Sequence, residues 1–333
     1  MVPYYWPVPE SSLKAPGVRL DASVVASLPD AALWRDVLAL TKPGIVRMVV
    51  ITVAVGFAVR WISTPVGRPL DMALAMVLCL IGSALSAAGA NALNQAIEGP
   101  RDAKMRRTRN RPVASGRMAP TRGLLLGALM SFLGVAVLAT IFGPAPAAVS
   151  LATILSYVGI YTPLKPVTPV NTIIGAVPGA LPPLIGWSAA ADGTWASLAE
   201  PGGWSIVVIM FLWQIPHFLA IAWKYRDDYA LGGYRMLPSA DNGEARTAHA
   251  AFIWTIALVG ASLIPVLVIP GMFGWVHGAV ALASGGWMFA AALRMARRRD
   301  DASAMHLFVA SIIYLPIVLI GLVADGLVGH FLR

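Results

Sequence analysis

The chain has 333 residues, 58% of them hydrophobic and only 12% charged, with a formal net charge of +9 and a mean hydropathy of +0.72. A soluble domain carries roughly 25% charged residues; half that charge, with repeated apolar runs of about 20 residues, excludes a soluble globule and indicates a membrane protein. The basic residues lie between the runs rather than in one patch, which excludes a nucleic-acid partner, and the single cysteine, Cys79, excludes an internal disulfide or a cysteine metal cluster.

Residues 1–39 are mixed and Pro-containing, without a continuous apolar run. They read as a cytoplasmic N-terminal extension, not a secretory signal, ending in an amphipathic stretch near Leu33–Leu40. Residues 40–333 read as one intramembrane domain. Spans are predicted near 45–63, 71–93, 122–142, 145–162, 170–190, 204–223, 248–268, 271–294 and 306–327. They must be helices, because a lipid-exposed backbone has to satisfy its hydrogen bonds within the segment. The expected fold is therefore all-α, a polytopic bundle of nine transmembrane helices. With nine spans, 22 of the 25 basic residues fall on one side. The positive-inside rule makes that side cytoplasmic, so the N-terminus is expected inside and the C-terminus outside.

Chemistry-bearing residues close the second span. Asn94, Glu98 and Asp102 stand at i, i+4, i+8, one helical stripe of oxygen donors. Oxygen donors suit Mg²⁺, which takes one or two carboxylates and completes its shell with water and phosphate. A basic run, Lys104 to Arg111, follows directly. Carboxylates beside so many cations make sense around a bound polyanion; the plain alternative is a solvated positive-inside loop. A second stripe ends the sixth span, where Gln214, His217, Ile221, Lys224 and Asp228 follow 3-4-3-4 spacing. An imidazole and an amide in an apolar run need partners or a substrate; the alternative for His217 is a hydrogen bond tying two helices together. A third region joins Tyr161 and Lys165 to Asn171 and a Gly/Pro-rich run. All three lie at the same ends of even-numbered spans or in the loops after them, so parity brings them to one membrane face.

The motifs ANALNQAIEGPRDAKMRRTRNRP, YTPLK, GAVPGALPPLIGW, WQIPHF and KYRDDY, in this order, resemble the protohaem IX farnesyltransferases (haem O synthases), a branch of the UbiA superfamily of intramembrane prenyltransferases. The resemblance runs from Leu40 almost to the C-terminus. It implies a nine-helix bundle around a central cavity capped by two polar loops. It also implies transfer of a farnesyl group from farnesyl diphosphate to a vinyl group of haem B, with hydration to haem O.

By the same resemblance, Asn94, Glu98 and Asp102 form the first metal motif, and His217, Lys224 and Asp228 stand at the second, with Asp228 a further Mg²⁺ ligand. Arg107, Arg111, Lys165, Lys224 and Arg226 become diphosphate contacts, and Tyr161 orients the diphosphate or Lys165. Trp213, Gln214, His217 and Tyr225 fall on the haem or prenyl side. The setting implied is a bacterial cytoplasmic membrane with the active site facing the cytoplasm, the lipid bilayer as surroundings and a haem A synthase as a further partner. Gly99-Pro100 departs from the pattern. Proline is expected to kink the helix before Asp102, and Pro166 stands where a basic residue is usual. Other readings are a UbiA-type enzyme acting on another aromatic or tetrapyrrole acceptor, and a non-catalytic haem-binding membrane protein. A transporter would show a polar midplane and inverted repeats, which the sequence lacks.

Overall fold

The structure, a computed structural model, describes residues 29–65, 67–272 and 274–332. Most of the proposed N-terminal extension, residues 1–28, lies outside the described residues. Its end forms helix α1, Pro29–Thr41. Among the described residues nine helices are long and apolar enough to cross a bilayer. They are α2 (Pro43–Ser63), α3 (Pro69–Asp102), α4 (Pro120–Phe142), α5 (Pro144–Leu164), α6 (Asn171–Ala190), α7 (Pro201–Lys224), α9 (Gly243–Val268), α10 (Trp275–Arg298) and α11 (Asp301–Phe331). A short helix, α8 (Arg226–Leu231), follows α7.

Five of these helices begin on a proline, at Pro43, Pro69, Pro120, Pro144 and Pro201. Proline suits a first turn, whose amide would have no partner in the helix. α11 starts on a capping box, in which the Asp300 carboxylate accepts from the Ser303 amide and the Ser303 hydroxyl accepts from the Asp300 amide. α6 bends at Leu181, between Ala180 and Pro182, where the Pro-Pro pair interrupts the helix.

The spans are sorted by burial. α6 and α7 are 67% buried over their apolar windows, against 22% for α4, so α6 and α7 form the middle of the bundle and α4 its rim. Large apolar side chains such as Leu125, Phe132 and Ile320 are exposed, which in a bilayer is a lipid-facing surface. α2 and α6 cross closely: a Cβ on Gly186 would lie 1.9 Å from the Val53 carbonyl oxygen, and one on Gly56 1.9 Å from that of Pro183. Only glycine permits two backbones to meet so closely.

α3 differs from expectation in a way that matters for the site. It runs 34 residues with Pro100 inside it. At 1.5 Å per residue it is about 50 Å long, well beyond an apolar core of about 30 Å. Pro100 stands two residues from its end, and the Ala103 amide still reaches the Gly99 carbonyl at 3.0 Å. The helix therefore continues through Pro100 as far as Asp102, and the stripe of Asn94, Glu98 and Asp102 stays on one helix.

Candidate active site

Along the end of α3 the side chains of Asn94, Glu98 and Asp102 are 0%, 4% and 1% exposed. Polar groups at that depth need partners, and each has a cation brought by a different segment. The Asn94 amide oxygen accepts from Lys42 Nζ at 2.6 Å, Glu98 Oε1 from Lys165 Nζ at 2.7 Å, and Asp102 Oδ2 from Arg111 Nη1 at 2.6 Å. Lys42 stands between α1 and α2, Lys165 follows α5, and Arg111 lies in the loop after α3. Asp102 Oδ1 is buried and has no hydrogen-bond partner among the described residues.

Lys42, counted in the sequence only as topological charge, is therefore part of the site. Its backbone is left-handed, φ 52°, and it precedes a proline, which disfavours the helical alternative. Gln95 holds the turn there, donating from Nε2 to the carbonyls of Ala39 (2.8 Å) and Leu40 (2.9 Å). Burial, reinforced by the Arg111 charge, pushes the Lys42 ammonium well below its ordinary range, against a smaller opposing pull from Glu98. Burial acts the same way on Lys165, but the Tyr161 phenol and the Glu98 carboxylate outweigh it and hold that ammonium well above the usual lysine value.

Tyr161 reaches Lys165 through a local irregularity. Residues Ser156–Tyr161 form a π-helical turn in α5. Pro163 has no amide to offer the preceding turn, and the Thr162 amide bonds the Tyr157 carbonyl, five residues back. Such turns recur at functional sites. Here the turn stacks Tyr157 on Tyr161 (5.7 Å) and places the Tyr161 ring 4.6 Å from Lys165 Nζ. The Thr162 hydroxyl also accepts from Asn94 Nδ2 at 2.9 Å.

At the end of α7, His217 lies between the rings of Trp213 (4.8 Å) and Phe308 (5.3 Å), both within 18° of parallel. Its Nδ1 bonds the Ser311 hydroxyl at 2.8 Å and Trp213 Nε1 donates to the Ser311 carbonyl at 2.7 Å. The helix-tying bond weighed as the plain alternative for His217 therefore exists, while no partner of Nε2 is seen among the described residues.

Several expected site residues are placed elsewhere. Gln214 Nε2 donates to the carbonyls of Ala176 and Met210 and its side chain is buried between α7 and α6. Arg226 turns to Asp301 at the start of α11 (2.8 Å) and to the Trp223 carbonyl, away from the α3 stripe. Tyr225 is covered by the Arg107 guanidinium (4.9 Å) and by Lys224 (5.3 Å), so it belongs to the polar loops rather than to a dry cavity. Asp228 accepts from the amides of Arg106 (2.7 Å) and Arg107 (3.3 Å), clamping one loop to the other instead of joining the α3 stripe. One break accounts for the positions of Tyr225, Arg226 and Asp228. α7 ends at Lys224, and Tyr225 leaves the helical conformation (φ −111°, ψ 24°) before α8 restarts, so the 3-4-3-4 spacing does not carry Asp228 onto the His217 face.

Among the described residues no three His, Cys, Asp or Glu side chains gather as a metal cage. The α3 stripe fits Mg²⁺ in another sense. Two carboxylates on one helix face, one with a buried free oxygen, are the partial set this ion takes when phosphate and water complete its shell.

This arrangement can bind a polyphosphate and stabilise negative charge on it: oxygen donors on one helix and cations from three segments, at one end of an apolar bundle. Comparison with known proteins agrees. The UbiA prenyltransferase family profile matches residues 49–315. A protoheme IX farnesyltransferase of Opitutus terrae is 40% identical over 297 residues, 89% of this chain and 96% of that protein. One of Pseudomonas fluorescens is 38% identical over 91% and 97%. The folds of a digeranylgeranylglyceryl phosphate synthase (TM-score 0.70, 15% identity, 88% of this chain and 98% of that one) and of an Archaeoglobus fulgidus UbiA homologue bound to GPP and Mg²⁺ (0.61, 14%, 89% and 99%) are similar. The chain belongs to the UbiA prenyltransferase family, in its protoheme IX farnesyltransferase group.

Proposed function

We propose that the chain joins the farnesyl group of farnesyl diphosphate to a vinyl group of haem B, with addition of water, giving haem O and diphosphate. The carrying observation is the α3 stripe with its three inserted cations. A leaving diphosphate gains negative charge as its bond to the allylic carbon breaks, and fixed cations aimed at it act most strongly where water is scarce. Lys42, Lys165 and Arg111 are the groups for this. Lys165 and Arg111 now pair with carboxylates of α3 and Lys42 donates to the Asn94 amide oxygen, and each would turn to a phosphate oxygen bound against the stripe. Bound against Glu98 and Asp102, Mg²⁺ would neutralise diphosphate oxygens and leave these cations in excess. Tyr157 and Tyr161 offer aromatic faces to the allylic cation. The vinyl π-electrons form the new carbon–carbon bond, water adds to the carbon left electron-deficient, and its spare proton goes to solvent.

In this reading the stripe faces the cytoplasm of a bacterial inner membrane, and haem O passes to a haem A synthase. The test is mass spectrometry of haems after incubating detergent-purified protein with haem B, farnesyl diphosphate and Mg²⁺. Haem O should form, stop on addition of EDTA and fall strongly in Asp102→Asn. Folded, haem-binding protein that forms no haem O would overturn the activity.

A further inference from the structure

The hydroxyl of Tyr234, in the loop after α8, is buried and has no hydrogen-bond partner among the described residues. Folding pairs nearly all such atoms, because a donor taken out of water without an acceptor is destabilising. The position is not loosely set. The Tyr234 amide donates to the Tyr229 carbonyl at 3.0 Å, and the Arg235 amide after it to the Lys165 carbonyl at 3.0 Å. Arg101, in the last turn of α3, donates to the carbonyls of Gly232 and Gly233 before it, both at 3.3 Å. Gly233 makes the turn with φ 69°, and a Cβ there would meet Arg101 Nη1 at 3.1 Å. The ring packs with Met105, Ala222 and Met236 and meets Tyr229 edge-on at 6.1 Å. For packing alone, phenylalanine would serve as well.

The phenol belongs to the surroundings of the α3 stripe. Lys165 Nζ lies 5.6 Å from its ring and the Arg101 guanidinium 5.8 Å. Burial, and after it the Glu98 charge, push the phenol above its ordinary range, so it stays protonated and can donate. The nearby carboxylates are already engaged, Glu98 Oε1 by Lys165 and Asp102 Oδ2 by Arg111. Asp102 Oδ1 is as open as the phenol, yet the two do not bond each other. A donor and a carboxylate oxygen held apart under one cap are completed together by a ligand that brings an anionic oxygen to the first and a cation to the second. A diphosphate carrying its metal has both.

We infer that the Tyr234 hydroxyl donates a hydrogen bond to an oxygen of the bound diphosphate, keeping its proton, so that the loop after α8 contributes directly to the site. The inference rests on the diphosphate substrate proposed above and adds a recognising residue. It also gives the unpaired hydroxyl a reason: the substrate-free protein gives up some stability to hold a donor ready.

The test compares wild type with Tyr234→Phe, as full-length protein in detergent with Mg²⁺. Each is titrated calorimetrically with inorganic diphosphate and with the unreactive thiolo analogue of farnesyl diphosphate, and its thermal midpoint is measured without ligand. Tyr234→Phe should bind both probes about tenfold more weakly, the scale of one hydrogen bond to a charged group, while its unliganded midpoint stays unchanged or rises. Unchanged affinity for both probes would overturn the inference; joined to a lowered midpoint, it would give the hydroxyl a structural bond instead. Weakened binding of the farnesyl analogue with unchanged binding of inorganic diphosphate would also overturn it, placing the phenol on the prenyl chain. Wild-type protein that binds neither probe would defeat the diphosphate reading itself, before the variant is compared. None of these readouts requires haem, so failure of the haem acceptor would leave them standing.

Discussion

Lys42 separates backbone from charge unusually well. Its φ of 52° is a conformation that costs an L-residue about 1 kcal/mol and glycine nothing, while its Nζ lies 2.6 Å from the Asn94 oxygen. Lys42→Gly relieves the backbone but leaves the buried Asn94 oxygen without its donor, so thermal stability in detergent should change little or fall slightly, while kcat falls by roughly 100-fold, the scale of removing one preorganised electrostatic group; Lys42→Arg should recover much of it. A Gly variant with unimpaired kcat would leave Lys42 a topological charge only. The Glu98–Lys165 pair invites a second comparison. Breaking a buried pair on one side leaves an uncompensated charge, so Lys165→Met should destabilise the fold more than Lys165→Met combined with Glu98→Gln, by about 2 kcal/mol or more, with activity lost in both. Equal stability of the two variants would show the pair to be solvated. Residue type and spacing single out Asn94, Glu98 and Lys165, and the family resemblance singles out Arg111. Lys42, Thr162 and Gln95 were not, because their roles depend on contacts across more than 50 residues of chain, which no local pattern encodes.

At the scale of elements, the apolar runs made the spans legible, since insertion in lipid is decided segment by segment. The ends of α3 and α7 were not. Pro100 broke nothing because it falls in the last turn of α3, where one lost amide bond matters little, whereas Tyr225 broke the α7 stripe without any proline to announce it. The π-turn in α5 lies just before Pro163, which has no amide to give the preceding turn. The α2–α6 crossing gives a sharp test. Gly186→Ala would drive a methyl into the Val53 backbone at 1.9 Å, where no side chain can turn aside, so a loss of about 2–3 kcal/mol is expected from overpacking. Gly278→Ala in α10, with nothing within 4 Å, should be neutral or stabilising by up to about 1 kcal/mol from helix propensity. Thermal unfolding in detergent separates the two; equal midpoints would mean that the helices do not cross so closely.

At the scale of the whole molecule, three polar loops are knitted over one end of the bundle. Arg101 donates to the carbonyls of Gly232 and Gly233, Asn171 to that of Arg235, and the Arg235 amide to that of Lys165, while Asp228 holds the amides of Arg106 and Arg107. The α3 stripe lies beneath this cap, so the side of the membrane that the cap faces decides which compartment supplies farnesyl diphosphate. The sequence assigns 22 of 25 basic residues to the capped end, and basic loops resist translocation. The capped end should face the cytoplasm. With Cys79 replaced by alanine, Asn110→Cys samples the capped loop and Thr194→Cys the connection between α6 and α7 at the opposite end; both positions are exposed. A membrane-impermeant maleimide added to intact bacterial spheroplasts should label Thr194→Cys directly and Asn110→Cys only after permeabilisation. The reverse pattern would place the diphosphate site outside the cell, away from any cytoplasmic pool of prenyl diphosphate, and would overturn the orientation while leaving the nine-span fold intact.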